Sequence, residues 1–379
     1  MQVLEQFQRV VAERHSYARQ WKERSGGKVV GYLCTYVPEE VLYAAGLLPV
    51  RVLGSHEVQG VTEPHMSGIW CPFSRDCLAQ GLLGRYDYLD GLVLANACHH
   101  IGHTFESWVR HSTPAYSYEI YVPPNVQRPL ARGCLAGEIR EFQASVEAWL
   151  GGPISQQALG QAVEVYNTNR RLLRQLYQLR KRDPPPITGA EAMEVVLASM
   201  LMDKAENNQM LERLLAELPG RRDDIAPGTR LMVIGSENDD TEFLRFAESL
   251  GANIVVDEHC TGSRYFWNEV VPNGDWAAAL AARLVERPPC PQKDLMELRR
   301  VEHIVNLARD YKVQGALLIL QKFCDVHQFD TPYIQKALAE MGIPLLLLEF
   351  DVTVPLGQFR TRLEAFLEMI GAGVQEGLS

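Results

Sequence analysis

Short unbroken apolar runs alternate with longer amphipathic stretches along most of this chain, a rhythm that predicts an α/β fold with parallel sheets. Residues 28–33 (KVVGYL) are short, β-branched and apolar, as expected of a strand buried on both faces. Pro38 with Glu39 and Glu40 suits the first turn of a helix that runs to Gly46, after which LPVRVLG supplies the next strand. YLDGLVLANAC (88–98) is a further strand ending on a cysteine, with IGHTFESWVR as the helix behind it and AYSYEIYVP as the strand that follows. An amphipathic helix precedes them all and stops at Gly26-Gly27.

From residue 131 to 221 the apolar period becomes helical, with a break at Asp183-Pro184-Pro185-Pro186. The basic stretch RRLLRQLYQLRKR (170–182) reads as a solvated helix face. Alternation resumes at Gly228: TRLMVIG, ANIVVDEHC, VQGALLILQKFC and IPLLLLEFD are strands, the last of them read as buried, and LGQFRTRLEAFLEMI is a closing helix. Each half contains a strand, helix and strand unit followed by another strand that delivers a cysteine from its carboxyl end. The expected architecture is therefore two doubly wound, Rossmann-like α/β domains with short parallel sheets, at 28–130 and 227–379. A helix over 1–27 and a helical segment over 131–226 complete the expected division.

Composition narrows the function classes. With 379 residues, 46% hydrophobic and 22% charged, the chain can bury a large core without disulfide staples. A formal net charge of −10 provides no general field for nucleic acid or an anionic membrane. The first residues lack a signal-peptide pattern and no apolar run reaches the roughly 18 residues of a membrane span, so a cytoplasmic protein with reduced thiols is expected. There is no GxxxxGK[ST] motif, and VIGSEND lacks the glycines of a dinucleotide loop, so ATP is not expected on this chain.

The cysteines carry the chemistry. Of eight, Cys34, Cys98, Cys260 and Cys324 lie just past strand ends, where doubly wound folds place functional residues. Cys71 and Cys77 lie in WCPFSRDCLAQGL, where Pro72 sets a helical first turn whose N–H groups favour a neighbouring thiolate. Thiolates converging on one crevice suit a soft metal or an iron–sulfur cluster. Free cysteine is also a common core filler, and Cys134 and Cys290, in segments without site-like context, are read that way. The absence of a CxxC pair disfavours a zinc knuckle. His99, His100 and His103, directly after Cys98, offer a rival zinc or acid–base site, although packed or solvated histidines are the commoner outcome at a helix start.

KVVGYLCTYVPEEVLYAAGLLPVRVLG, CPFSRDCLAQGLLGRYDYLDGLVLANAC and LQKFCDVHQFDTPYIQKALAEMGIPLLLLEFD resemble the 2-hydroxyacyl-CoA dehydratase family, which includes the class I benzoyl-CoA reductase subunits. VYNTNRRLLRQLYQLRK and PPPITGAE extend the likeness over nearly the whole chain, and the length and RQWKE opening are most similar to the smaller of the two cluster-bearing benzoyl-CoA reductase subunits. The resemblance implies two α/β domains holding a 4Fe-4S cluster, or a double cubane, with Cys71, Cys98 and Cys324 as ligands. Cys34 and Cys260 do not carry over as family-wide ligands. His99 departs from the aspartate usual after the second ligand, which changes the hydrogen bonds around that sulfur.

The implied activity is ATP-dependent, low-potential single-electron reduction of benzoyl-CoA or a related aromatic thioester. The alternatives are a 2-hydroxyacyl-CoA dehydratase subunit, a double-cubane reductase of small molecules that needs no CoA, and a non-catalytic electron relay. The implied partners are a related cluster-bearing subunit, an activator that hydrolyses ATP and carries its own iron–sulfur cluster, a ferredoxin-type donor and an acyl-CoA substrate.

Overall fold

The computed structural model describes residues 1–221, 225–294 and 297–376, so residues 222–224 of the expected helical segment lie outside the described residues. Two four-stranded sheets organise the chain. The first comprises β1 (Val29–Leu33), β2 (Leu48–Arg51), β3 (Gly91–Ala95) and β4 (Tyr116–Ile120). The second comprises β5 (Thr229–Gly235), β6 (Ala252–Glu258), β7 (Gly315–Gln321) and β8 (Leu345–Phe350). All pairings are parallel, in the orders β2-β1-β3-β4 and β6-β5-β7-β8. The same topology therefore occurs twice, and each sheet reverses its winding between its two central strands.

The apolar runs become strands because both of their faces are covered: β1, β3, β6 and β7 are buried along their whole length. Of the four edge strands, β2 and β6 are buried along their whole length, whereas β4 alternates buried and exposed positions and β8 is half-buried rather than fully buried as its LLLLEF sequence suggested. Gly235 closes β5 at φ +150°, and a Cβ there would stand 1.9 Å from the Ile319 carbonyl oxygen, so the close approach of β5 to β7 requires glycine.

Helices weld the two sheets together. The Gly189–Leu201 helix is buried on all sides, packs on the Gln2–Ala12 and Thr241–Ser249 helices, and shares one apolar core with residues of both sheets. Thr188 begins it with a capping box to Glu191. The Trp276–Glu286 helix, although late in the chain, packs along Ala131–Leu150 beside the first sheet, in a core with Val30, Val93 and Cys290.

The basic stretch 170–182 is not a solvated face. Arg170 is buried against Glu40, Arg180 is buried against Asp257 and donates to the Ile254 carbonyl at 2.9 Å, and Arg171 and Arg174 share Glu269. These ion pairs tie the Gln156–Leu179 helix and the turn after it to the Glu39–Ala44 helix beside the first sheet and to β6 of the second. Among the described residues no helix is long and apolar enough to cross a membrane.

Candidate functional site

The carboxyl ends of both sheets face one cavity, which offers water about 70 Å³ and has mostly apolar walls. Six cysteines line it: Cys34, Cys71, Cys98, Cys260, Cys290 and Cys324. Cys34 follows β1 and Cys98 follows β3, the two central strands of the first sheet, so the winding reversal of that sheet opens onto the cavity. In the second sheet Ser236 follows β5, Cys260 follows β6 and Cys324 follows β7, and all three line the same space.

Several thiols sit at helix starts. Cys71 is the N-cap of the Pro72–Leu82 helix, Cys98 of His99–Ser112 and Cys324 of Asp325–Glu340, so three helix N-termini present their positive ends to the cavity. Cys290 precedes Pro291 at the start of a short 3-10 turn, as Cys71 precedes Pro72. Two backbone positions are strained here, with Cys34 at φ +78° and Phe323, just before Cys324, at φ +62°. Burial pushes the Cys71, Cys98, Cys260 and Cys324 thiols up, against the pull of these helix ends.

The surrounding polar groups are specific. The Cys71 backbone N–H donates to His100 Nδ1 at 2.9 Å, and His100 Nε2 lies 3.5 Å from Asp325, bridging the two sides of the cavity. Arg264 donates to Cys260 Sγ at 3.2 Å and to the Gly235 carbonyl at 2.9 Å. Cys324 Sγ lies 3.3 Å from His327 Nδ1. Arg287 donates to the Thr35 carbonyl at 2.7 Å, and Arg51 pairs with Glu237 at 2.6 Å across the boundary between the sheets.

The structure brings Cys71, Cys98 and Cys324 to one cavity together with Cys34 and Cys260. Cys290 is packed in the core as read from sequence, yet it also lines that cavity; the overlooked signal was the Cys-Pro dipeptide it shares with Cys71. Cys134 is exposed on the Ala131–Leu150 helix rather than buried, and Cys77 lies inside its helix, buried against the Val52 carbonyl and away from the cavity. Of the three histidines only His100 reaches the cavity, while His99 and His103 are exposed. Among the described residues no three His, Cys, Asp or Glu side chains are arranged to hold a single metal ion.

Comparison with known proteins finds relatives along nearly the whole chain. The chain is 26% identical over 368 residues to the (R)-phenyllactyl-CoA dehydratase beta subunit of Clostridium sporogenes, covering 96% of this chain and 97% of that one. It is 26% identical to one subunit of the benzoyl-CoA reductase of Thauera aromatica, over 88% of each chain. It is 27% identical to the beta subunit of (R)-2-hydroxyglutaryl-CoA dehydratase of Acidaminococcus fermentans, over 97% of this chain and 99% of that one. The profile of the 2-hydroxyglutaryl-CoA dehydratase D-component family matches residues 34–370, from the first cavity cysteine to the closing helix, and the chain belongs to that family.

Proposed function

We propose that this chain is an iron–sulfur subunit of an ATP-dependent oxidoreductase, and that its six cavity cysteines hold paired clusters of the double-cubane kind. The observation that carries this reading is the six-thiol wall, three from each half of the chain: Cys34, Cys71 and Cys98 against Cys260, Cys290 and Cys324. The donor set fits. Thiolates are soft ligands that select iron–sulfur groups, and a cluster spreads its thiolates over separate irons.

When bound, such a group supplies single electrons at low potential, which no side chain can do. The chain's own residues hold and tune it. Cys71, Cys98 and Cys324 lie at helix starts that favour thiolate, Arg264 donates to the Cys260 sulfur, and the apolar walls limit water. The relatives are subunits by name, which supports a partner subunit for this chain. With no phosphate loop here, ATP hydrolysis falls to an activator with its own cluster, fed by a ferredoxin-type donor.

The family's acyl-CoA chemistry is the second reading, supported by the likeness to the benzoyl-CoA reductase of Thauera aromatica over most of both chains. In it Cys71, Cys98 and Cys324 hold one 4Fe-4S cluster, and benzoyl-CoA or a 2-hydroxyacyl-CoA is the substrate. Anaerobic purification with iron and sulfide analysis separates the two, since a double cubane carries about eight irons per chain and a single cubane about four. About eight irons without turnover of either CoA ester supports the first reading. About four irons with turnover of benzoyl-CoA or a 2-hydroxyacyl-CoA, assayed with activator and reductant, supports the second. Turnover that survives Cys324→Ser reduces the chain to an electron relay, and an iron-free preparation made without air removes both readings.

A further inference from the structure

The fixed charges on the wall of the thiol cavity do not balance. Among the described residues Arg51 and Arg287 bring two guanidinium groups to that wall, and Glu237 brings its one carboxylate. Both arginines are 1% exposed. A guanidinium is not deprotonated in a protein, so burial cannot neutralise it, and a buried cation without enough counter-charge is costly.

Their hydrogen bonds are incomplete as well. Arg51 spends Nη2 on Glu237 at 2.6 Å and leaves Nε and Nη1 unpartnered, while Glu237 keeps Oε2 unpartnered. The partners of Arg287 are neutral: it donates to the Thr35 carbonyl at 2.7 Å and to the Thr35 hydroxyl at 2.9 Å, and its Nε is unpartnered. Buried donors left without acceptors point to an acceptor that the protein itself does not supply.

The fold holds both groups in place. Arg51 ends β2 in register with Tyr32 of β1, two residues before Cys34, and its guanidinium lies 5.8 Å from the Tyr32 and Phe73 ring centres. Arg287 follows the Trp276–Glu286 helix, three residues before Cys290, and lies 4.5 Å from the Tyr36 ring centre. Burial pushes the Cys34 thiol up, and both arginines act against it. Two sequence-distant cations therefore converge on one sulfur.

We infer that Arg51 and Arg287 are the counter-cations of the group the cavity cysteines hold, offsetting the negative charge of its sulfides and thiolates and setting its reduction potential. This role deepens the iron–sulfur reading proposed above and rests on it. An added electron brings one more negative charge into an apolar space, and a cation fixed beside it stabilises the reduced state over the oxidised one. Glu237 opposes that effect. Both arginines are positioning residues in this role, because they act through the charge of the bound group.

The test is an anaerobic redox titration of the full chain purified with its iron, reduced by titanium(III) citrate and followed by electron paramagnetic resonance. Arg51→Met should disfavour the reduced state by about tenfold, a midpoint potential lower by about 59 mV for a one-electron couple. Arg287→Met should move it in the same direction. Arg51→Lys, which keeps the charge, should stay near the parent value, and Glu237→Gln, which removes the opposing carboxylate, should raise the potential. A disturbance of packing alone gives no shifts whose sign follows the charge removed.

Potentials that stay at the parent value in Arg51→Met and Glu237→Gln overturn the inference, and so do shifts of one sign in both. Should Arg51→Met fail to hold iron, Glu237→Gln decides, with a raised potential in support and an unmoved or lowered one against. An iron-free parent chain is a different failure, read by iron analysis before any titration, and it removes the cluster reading itself.

Discussion

The two halves of the cavity wall are built on one topology and furnished differently. In the first half the central strand β1 leads into Cys34 while its neighbour β2 ends on Arg51; in the second half β5 leads into Ser236 and Glu237 while its neighbour β6 leads into Cys260. The thiol and the charged residue have exchanged strands. The surroundings differ as well. Cys71 and Cys98 sit among apolar side chains and one histidine, whereas Cys260 and Cys324 lie over a buried network of Arg264, Glu258, Arg300, Asp330 and His327. The repeated scaffold thus presents its sulfur atoms in unequal settings: Arg51 and Arg287 act on Cys34, while Arg264 and Arg300, paired with Glu258 and Asp330, underlie Cys260 and Cys324.

The sharpest way to break the comparison is to remove one thiol from each half. If the two trios hold paired clusters, Cys290→Ser and Cys34→Ser should each lower iron by about half and abolish reductase turnover, with the fold intact by circular dichroism. Iron near four per chain in the parent protein, unaffected by Cys290→Ser, would leave Cys290 as packing alone and restore the single-cluster reading.

Next in size is the buried network of the second half. Arg300, 1% exposed, pairs with Glu258 and Asp330 and also donates to Glu258 through Nε at 2.9 Å. Arg300→Met leaves buried Asp330 without its cation and Glu258 with Arg264 alone, and should cost about 3–5 kcal/mol, read as a lower urea midpoint. In the first half, His100→Gln, which removes the acceptor facing the Cys71 N–H, should cost about 1 kcal/mol. Equal losses from the two substitutions would show that the halves are energetically alike.

Much of the fold was legible because buried parallel strands are uninterrupted apolar runs. KVVGYL, TRLMVIG and ALLILQ have that pattern whatever surrounds them. β8 misled for the same reason: four leucines look buried, but how far the faces of an edge strand are covered depends on what packs over them, completely for β6 and partly for β8, which local pattern does not encode. Cys98 and Cys324 could be placed near a site by the strand-end rule, and Cys71 by the proline that follows it. Cys290 could not, because the segment RPPCPQK has no strand or long helix of its own and is carried to the cavity by the Trp276–Glu286 helix folding back on the first half. Arg170 and Arg180 looked solvated because their partners, Glu40 and Asp257, are 130 and 77 residues away in sequence. Burial of a charge is a property of such long-range pairs.

A smaller effect tests the backbone difference between the central strands. β1 ends on Leu33 with its side chain in the core, while β5 ends on Gly235 with no room for a Cβ. Gly235→Ala forces β5 away from the Ile319 carbonyl at a backbone angle that suits glycine, and should lower stability by about 1–3 kcal/mol. Leu33→Ala removes buried volume instead and should cost a similar or larger amount, about 2–5 kcal/mol. The two are distinguished by the thiol cavity: alkylation of Cys324 relative to Cys134 should change in Gly235→Ala, because β5 and β7 part beside it, and stay constant in Leu33→Ala.

The smallest expected effect lies where the halves meet. His56 Nε2, from the first half, stands 3.3 Å from Asp239 Oδ1 of the second. Asp239 raises the His56 pKa to about 9, against the opposing effect of burial, while His56 keeps Asp239 below its usual range although burial acts to raise it. A histidine whose folded pKa lies above its unfolded value of about 6.5 contributes stability fully below that value and loses it as pH rises through about 9. Because the His56 side chain is 37% exposed, solvent screens the pair and the contribution should stay under about 1 kcal/mol. The urea midpoint of the parent chain should therefore fall between pH 6.5 and 9 by more than that of His56→Gln, with the difference shrinking in high salt. Parallel curves for the two proteins would mean that this contact carries no charge coupling between the halves, which Arg51–Glu237 and Arg75–Asp351 also join.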